Sequence, residues 1–355
     1  MTEKAPFPAT PVDDWPAYDR AIWESAMRKA IGIFDDRGFA ATWRPATLRG
    51  VERGYGTYLR WLKIHEGNLD PHASVLERVD EERIDRFIAE YATGRSPLTV
   101  ATTVRGIAYV CRCAAPPDGL SWLTKLAHSL TNSADRVRSK APRMAPIADL
   151  VDLGELLMDG GRRKRCDGMR GSDAVQFRDG LMIALLARRP LMRVRNLFEL
   201  RIGHNLVFRG STALLDFPSD ERKNGRATEV FLPEDLTHMV VEYIDDYRSF
   251  LTRKLPGPDE GWMWVSRRGF RMCPTEVTQR ITTLTKRYLD RPVSPHLFRD
   301  CAATDIAIHA PTDVGITADI LGHATLRTSE KYYKQADGFA AMGRHADLIA
   351  RLRRS

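Results

Sequence analysis

The stretch LVFRGSTALLDFPSDERKNGRATEVFLP, residues 206–233, indicates the fold class of this chain. It contains three short extended runs in which the pattern changes to a period of two, typical of strands. Gly210 marks a first turn, and Asn224-Gly225 marks a second. Asn-Gly between extended runs favours a tight hairpin because both turn positions need positive φ. The stretch therefore predicts three short antiparallel strands, with Lys223 beside the second turn.

The sequence on both sides of this stretch predicts helices. In the first half, TLRGVERGYGTYLRWLKIH and VDEERIDRFIAEYATG place apolar residues three and four positions apart. SPLTVATTVRGIAYVCRCAA opens with Ser96 as N-cap and Pro97 at the first helical position. IADLVDLGELLM, FRDGLMIALLARR and LTHMVVEYIDDYRSFLTR continue the helical pattern in the second half. We therefore expect a mainly α protein with a small antiparallel β-sheet.

The chain has 355 residues, a length that suggests about two domains. We expect a helical N-terminal domain over residues 1–133, a basic linker over 134–147 and an α+β domain over 148–355. The linker contains two prolines among small residues, which makes it a poor core element. Its cations either line a phosphate backbone or stay solvated. They are Arg136, Arg138, Lys140 and Arg143.

Composition excludes several classes of protein. The formal net charge of +8 makes a polyanion the first partner to consider. The longest apolar run, residues 181–187, is far shorter than the roughly 20 residues of a membrane helix. The N-terminus has no secretory pattern, so we expect a cytoplasmic protein. The five cysteines have neither metal-binding spacing nor an even count, which indicates reduced thiols.

Three stretches of the second half carry candidate catalytic residues. SPHLFRDCAATDIAIH predicts a helix that starts at Ser294 and Pro295, with His296 and Arg299 three residues apart on one face of its first turn. LGHATLRTSEKYY supplies His323 and, nine residues later, Tyr332. LMRVRNLFEL supplies Arg193. With the hairpin lysine, these residues form an ordered set of cations, imidazoles and one phenol.

This ordered set resembles the tyrosine recombinase, or phage-type integrase, family. That family carries an arginine in a motif of the form LRxxEL, a lysine on a β-hairpin, HxxR, LGH and a nucleophilic tyrosine nine residues beyond that histidine. The resemblance runs over residues 178–333, and the helical first half resembles the core-binding domain of the family more loosely. The six matching residues are Arg193, Lys223, His296, Arg299, His323 and Tyr332. Tyr333 remains an alternative nucleophile.

The residue types also fit the chemistry of a phosphodiester. Negative charge develops on the nonbridging oxygens, and guanidinium forks such as Arg193 and Arg299 bind two oxygens at once. A tyrosine hydroxyl has a pKa of about 10, so its attack needs a base, for which His296 is the candidate. Lys223 is a candidate acid for the leaving 5′ oxygen, and His323 would donate a hydrogen bond to the phosphate. Such a mechanism needs neither a metal ion nor another cofactor.

The resemblance implies a site-specific DNA recombinase that works through a covalent 3′-phosphotyrosyl intermediate, as in integration, excision or transposition. Its expected partners are double-stranded DNA with specific recombination sites, a tetramer of itself on that DNA, and accessory proteins in some systems. It would act in the cytoplasm on the nucleoid. Two alternatives stay open: a type IB topoisomerase that relaxes DNA, and a DNA-binding factor that has lost catalysis.

The chain departs from the family pattern at several positions. Asn196 stands where the family usually has a glutamate, and Asp300 stands where a histidine commonly follows the second arginine. Pro190-Leu191-Met192 replaces the usual Gly-Leu before Arg193. These departures change residues around the catalytic groups, and none of them removes a group that would contact phosphate.

The last stretch, FAAMGRHADLIARLRRS, has the pattern of a short amphipathic helix. In the family such a helix docks on a neighbouring protomer, and packing on its own domain is the alternative.

Overall fold

The computed structural model describes residues 7–30, 32, 36–114, 120–134, 140–165, 168–189, 192, 194–217 and 228–310. The chain divides into two compact units, Met1–Ser139 and Lys140–Ser355. The second unit thus begins inside the segment that the sequence predicts as a linker. The boundaries predicted at 133 and 148 stay predictions.

The first unit is helical, as the sequence predicts. Asp80 accepts a hydrogen bond from the Arg83 amide at 2.8 Å and so caps one helix, and the Ser96 hydroxyl oxygen accepts one from the Thr99 amide at 3.2 Å at the start of the next. Gly94, with φ of 72°, follows the first of these helices in the left-handed region. The helices are α1 (Ala17–Met27), α2 (Pro45–Glu66), α3 (Glu81–Tyr91), α4 (Pro97–Ala114) and α5 (Ser121–Ser133).

Helices α2 and α4 approach each other closely through two glycines. A Cβ atom added at Gly54 would lie 2.9 Å from the Thr103 carbonyl oxygen and 3.1 Å from the Cα of Gly106. Around this contact the core is rich in aromatic side chains, and Tyr58 and Trp61 stack at 5.9 Å between ring centroids. The apolar stripe read along α2 is therefore its buried face.

The second unit is a helical body with one small sheet. A π-helical segment, Tyr243–Arg248, joins α9 to α10. The elements in order are α6 (Ile147–Arg165), α7 (Gly171–Arg188), α8 (Val194–Phe198), β1 (Leu206–Arg209), β2 (Thr212–Phe217), β3 (Thr228–Phe231), α9 (Glu234–Glu242), α10 (Ser249–Thr252), α11 (Pro274–Leu289) and α12 (Leu297–His309).

The sheet has the order β1-β2-β3 with both neighbouring pairs antiparallel. Arg209 pairs with Thr212, so β1 and β2 join through a two-residue turn in which Gly210 has a φ of 62°. The sheet is fixed to the following helix because the Thr237 hydroxyl accepts a hydrogen bond from the Ala213 amide at 3.2 Å. The three strands and the first turn confirm the fold class predicted from the sequence.

Helix α7 lies at the centre of the second core. Residues 181–187 of α7 are all buried, which explains why this run is apolar on every side. Phe177 on α7 stacks on Tyr247 at 4.0 Å between ring centroids. Among the described residues, every helix is too short or too polar to cross a bilayer.

Candidate active site

The predicted HxxR pair lies at the start of α12. The Leu297 amide donates a hydrogen bond to the Ser294 carbonyl at 2.8 Å, and His296 occupies the N-cap position. The sequence placed the start of this helix at Ser294 and Pro295. The α-helix begins at Leu297 instead, because residues 295 and 296 form a turn that leads into it.

The first turn of α12 separates apolar from polar side chains. Leu297 and Phe298 are buried in the core, whereas His296 is exposed and Arg299 is half-buried. Positions three residues apart on a helix are neighbours on its surface. The buried side chains of Leu297 and Phe298 therefore anchor the helix that carries the imidazole and the guanidinium. Side chains that bind a phosphate need such a rigid support.

The hairpin that contains Lys223 is described only at its base. β2 and β3 pair up to Phe217 and Thr228, so the connection between them is residues 218–227. This pairing confirms two antiparallel strands on either side of the segment that contains Lys223, and the lysine itself lies outside the described residues. The predicted tight turn at Asn224-Gly225 lies outside the described residues.

The residues that flank Arg193 are held by the core. The Met192 side chain is buried, and its amide donates a hydrogen bond to the Arg189 carbonyl at 2.9 Å. In α8, which starts directly after Arg193, the Leu197 carbonyl accepts a hydrogen bond of 2.6 Å from the indole of Trp264. Met192 before Arg193 and Leu197 after it therefore both contact the core.

The C-terminal end of α7 concentrates positive charge. Arg188 forms an ion pair of 2.5 Å with Asp235, and this guanidinium holds the pKa of the Asp235 carboxyl below its usual range. Burial, followed by repulsion from Arg188, lowers the pKa of Arg189. A guanidinium keeps its proton in proteins, so both arginines contribute positive charge close in sequence to Arg193.

The residue after Arg299 has a partner that the sequence did not indicate. Asp300 is buried, with 8% of its surface exposed, and its Oδ2 lies 2.5 Å from Nζ of Lys140. The sequence predicts Lys140 to be a linker cation that lies on phosphate or in solvent, whereas in the structure it forms an ion pair with the helix that carries the HxxR residues. The two residues are 160 positions apart, so local patterns carry no signal for this contact.

A cleft of about 770 Å³ between α7 and α11 contains further arginines. The buried Arg178 binds the Asp179 carboxylate through Nε at 3.0 Å and Nη2 at 2.6 Å. Nε of Arg280 binds the other oxygen of Asp179 at 3.0 Å. These contacts satisfy the carboxylate from two sides, and they hold α7 and α11 together. We read the cluster as structural.

Part of this chain is similar to a known protein family. The model of the family described as "Phage integrase family" matches residues 168–338. This range contains all six candidate catalytic residues in the order given above. Just under half of the chain is thus similar to the phage integrase, or tyrosine recombinase, family.

Similar proteins of this family include "Tyrosine recombinase XerD" of Chlamydia pneumoniae, 27% identical over 161 residues, which are 44% of this chain and 48% of that protein. "Tyrosine recombinase XerC" of Pseudomonas syringae pv. syringae (strain B728a) is 26% identical over 201 residues, 54% of this chain and 57% of that protein. The chain thus spans about half the length of these curated relatives. A solved structure of a similar protein, "Crystal structure of XerA recombinase", matches with a TM-score of 0.38 at 16% identity, over 86% of this chain and 95% of that chain.

The structure describes two of the six candidate residues. His296 and Arg299 share the first turn of α12. Four candidates lie outside the described residues: Arg193, Lys223, His323 and Tyr332. The choice between Tyr332 and Tyr333 and the amphipathic C-terminal segment also lie outside them. The convergence of all six residues on one phosphate therefore stays a prediction.

Two of the departures from the family pattern, Asn196 and Asp300, are buried positions. Asn196 lies in α8 with 6% of its surface exposed, and Asp300 lies in the first turn of α12. Buried polar groups need partners. For Asp300 that partner is Lys140, so this departure is accommodated by an ion pair.

The thiol of Cys301 lies on the same helix as the HxxR pair. Burial raises the pKa of the Cys301 thiol to about 11, so this cysteine stays protonated at neutral pH. Within the described part of the chain, no group of three or more His, Cys, Asp or Glu side chains is arranged to hold a metal ion. The expectation of a reaction without a cofactor stays a prediction.

Proposed function

We propose that this protein is a site-specific DNA recombinase that cuts and rejoins strands through a covalent 3′-phosphotyrosyl intermediate. The observation that carries the proposal is the ordered set of six residues inside the region matched by the phage integrase family. The placement of His296 and Arg299 on one anchored helical turn supports it.

The proposed reaction exchanges one phosphodiester for another. The hydroxyl oxygen of Tyr332 attacks phosphorus and passes its proton to His296, while the bond from phosphorus to the 5′ oxygen breaks. Lys223 protonates the leaving 5′ oxygen. The tyrosyl ester keeps the energy of the broken bond, so a 5′-hydroxyl of another strand can reverse the reaction.

The cations of the site stabilise the charge that develops in this step. Arg193 and Arg299 each offer a planar fork of N–H donors to the nonbridging oxygens, and His323 adds a hydrogen bond. The net charge of +8 favours association with the DNA backbone and makes the affinity depend on salt. The partners follow from this proposal: duplex DNA with recombination sites, and a tetramer of this chain on that DNA in the cytoplasm.

A trapping experiment tests the proposal. Nicked suicide duplexes that tile the DNA on either side of the gene are incubated with the full chain in EDTA. We expect a covalent protein–DNA adduct that survives denaturation, and sequencing its DNA gives the site. Binding without an adduct would contradict the proposal and favour the inactive DNA-binding factor.

A plasmid with two copies of the recovered site then separates the two enzymatic functions. A recombinase yields recombinant products from this plasmid. Relaxation of the plasmid without recombinants would identify a topoisomerase-like activity instead.

A further inference from the structure

The segment of residues 140–147, here called the strap, contacts α12 through both of its ends. At its first residue, Nζ of Lys140 lies 2.5 Å from Oδ2 of Asp300. At its last residue, the amide of Ile147 donates a hydrogen bond of 2.5 Å to Oδ2 of Asp305. With a rise of 1.5 Å per residue, these two contacts are about 7 Å apart along the helix axis. The strap therefore binds α12 at two separated points.

Two contacts in the middle of the strap complete its attachment. Ala145 is buried in the core, and its backbone amide lies against the thiol of Cys301. The Met144 carbonyl accepts a hydrogen bond of 2.5 Å from the guanidinium of Arg291, in the loop before α12. The backbone of the strap is thus fixed independently of its first residue, which places the Lys140 ammonium group at a defined position.

The contact of Lys140 is next to the candidate active site. Asp300 directly follows Arg299 and lies one turn after His296 on the same helix. A largely buried carboxylate is costly unless a counter-charge is close. Loss of the ammonium group removes one counter-charge from this carboxylate, and a movement of the carboxylate towards solvent would lower the resulting cost. Such a movement would carry the first turn of α12, with the imidazole and the guanidinium, away from its place.

We propose that Lys140 and Asp300 form a positioning pair for strand cleavage, which holds the first turn of α12 so that His296 and Arg299 meet the phosphate. The inference rests on the proposed function and adds two residues to it. Neither residue contacts the DNA in this scheme. Misplacement of reacting groups by about 1 Å can reduce a rate about 100-fold.

The test compares variants of the full chain on the nicked duplex recovered by trapping. Lys140→Met and Asp300→Asn each remove one charge, and Lys140→Arg keeps it. Lys286→Met is the matched control, because Lys286 also forms a 2.5 Å ion pair, with Asp290, but on α11. Two quantities are measured: the Kd for the duplex, and the first-order rate of adduct formation at saturating DNA.

We expect Lys140→Met and Asp300→Asn to reduce the adduct rate about 10- to 100-fold, with a Kd like that of Lys286→Met. Lys140→Arg should recover most of the rate. The double variant should be no slower than either single variant, because the two residues act as one unit. An unchanged rate in the single variants, an equal loss in Lys286→Met, or no recovery in Lys140→Arg would each overturn the proposal.

A second measurement does not depend on activity. Hydrogen exchange of peptides that cover residues 294–310, without DNA, should become faster in Lys140→Met and in Asp300→Asn than in wild type and Lys286→Met. Equal exchange in all four proteins would overturn the positioning role. A wild-type chain that binds the duplex but forms no adduct would contradict the proposed function, and the exchange data would still decide whether the pair holds α12.

Discussion

The two units of this protein use buried charge in different ways. In the first unit, Asp19 and Arg78 form an ion pair of 2.6 Å inside an aromatic core, and the hydroxyl of Tyr55 donates a hydrogen bond of 2.7 Å to the same carboxylate. In the second unit, Lys140 and Asp300 meet beside the helix that carries His296 and Arg299. The first pair joins distant segments of a core, whereas the second adjoins the candidate active site.

The loss of a charge should therefore have different consequences in the two pairs. Breaking the pair in the first core should lower the stability of that unit. Removing the charge of Lys140 should affect the reaction more than the stability, because the Lys140 side chain, unlike that of Arg78, is partly exposed to solvent. The predictions below test that separation.

The largest effect is expected for Tyr332→Phe. Removing the nucleophilic oxygen should abolish the covalent adduct, a loss of at least about 1000-fold, while the affinity for the duplex stays within about twofold. Denaturing gel electrophoresis of the trapped complex measures the adduct. Tyr333→Phe is the matched control and should keep activity. A reversal of the two results would move the nucleophile to Tyr333.

The next effect is expected for Arg299→Lys. The variant keeps the positive charge but loses the planar fork, so adduct formation at saturating DNA should fall about 100-fold or more. Thermal unfolding of the second unit should change little. A variant that reacts at the wild-type rate would show that Arg299 does not bind the phosphate in the transition state.

In the first unit, Arg78→Met should act on stability. The change leaves the fully buried carboxylate of Asp19 without its counter-charge, at an expected cost of about 3–5 kcal/mol in the free energy of unfolding of that unit. Urea denaturation, followed by hydrogen exchange of peptides from the first unit, measures it. A cost below about 1 kcal/mol would contradict the contrast between the two ion pairs.

Substitutions at two glycines of α2 form a matched pair, and their expected effects on stability are smaller. Gly54→Ala places a methyl group 2.9 Å from the Thr103 carbonyl oxygen and should destabilise the first unit by about 1–3 kcal/mol. Gly50→Ala meets no atom within 4 Å and should stabilise it, by up to about 1 kcal/mol, through helix propensity. Equal effects of both changes on the midpoint of thermal unfolding would refute the close approach of α2 and α4.

The smallest effects concern pH. The Arg248 guanidinium lowers the pKa of Asp259. The ionised carboxylate therefore stabilises the second unit at a pH above its unfolded pKa of about 4. This stabilisation is lost as the pH falls through the lower pKa of the folded state. Burial raises the pKa of Asp19 instead, so the first unit gains stability from this group as the pH falls through the raised value.

Two variants check the opposite signs. Between pH 6 and pH 3, the stability advantage of wild type over Asp259→Asn should narrow by a few tenths of a kcal/mol. The stability of wild type relative to Asp19→Asn should rise over the same range. Hydrogen exchange of peptides from the unit that carries each change measures both differences. Changes of the same sign in both comparisons would contradict the assignment of the two carboxyl groups.

Local sequence patterns determined most of the fold. The apolar periodicity predicts the helices of both units, Ser96 and Pro97 mark the start of α4, and Gly210 marks the turn between β1 and β2. The same kind of pattern places His296 and Arg299 on one turn of α12, and the order of the motifs indicates the family. These features depend on residues within about one or two turns of each other, so they can be read from the sequence alone.

The tertiary structure alone decided which charges meet. Asp179 binds Arg280 across 101 positions, and Lys140 binds Asp300 across 160 positions. In the sequence, Lys140 looks like any other linker cation, and Asp300 is only a departure from a motif. Their pairing depends on how the strap and α12 pack, because the energy of an ion pair depends on distance and burial in space, which local periodicity does not specify.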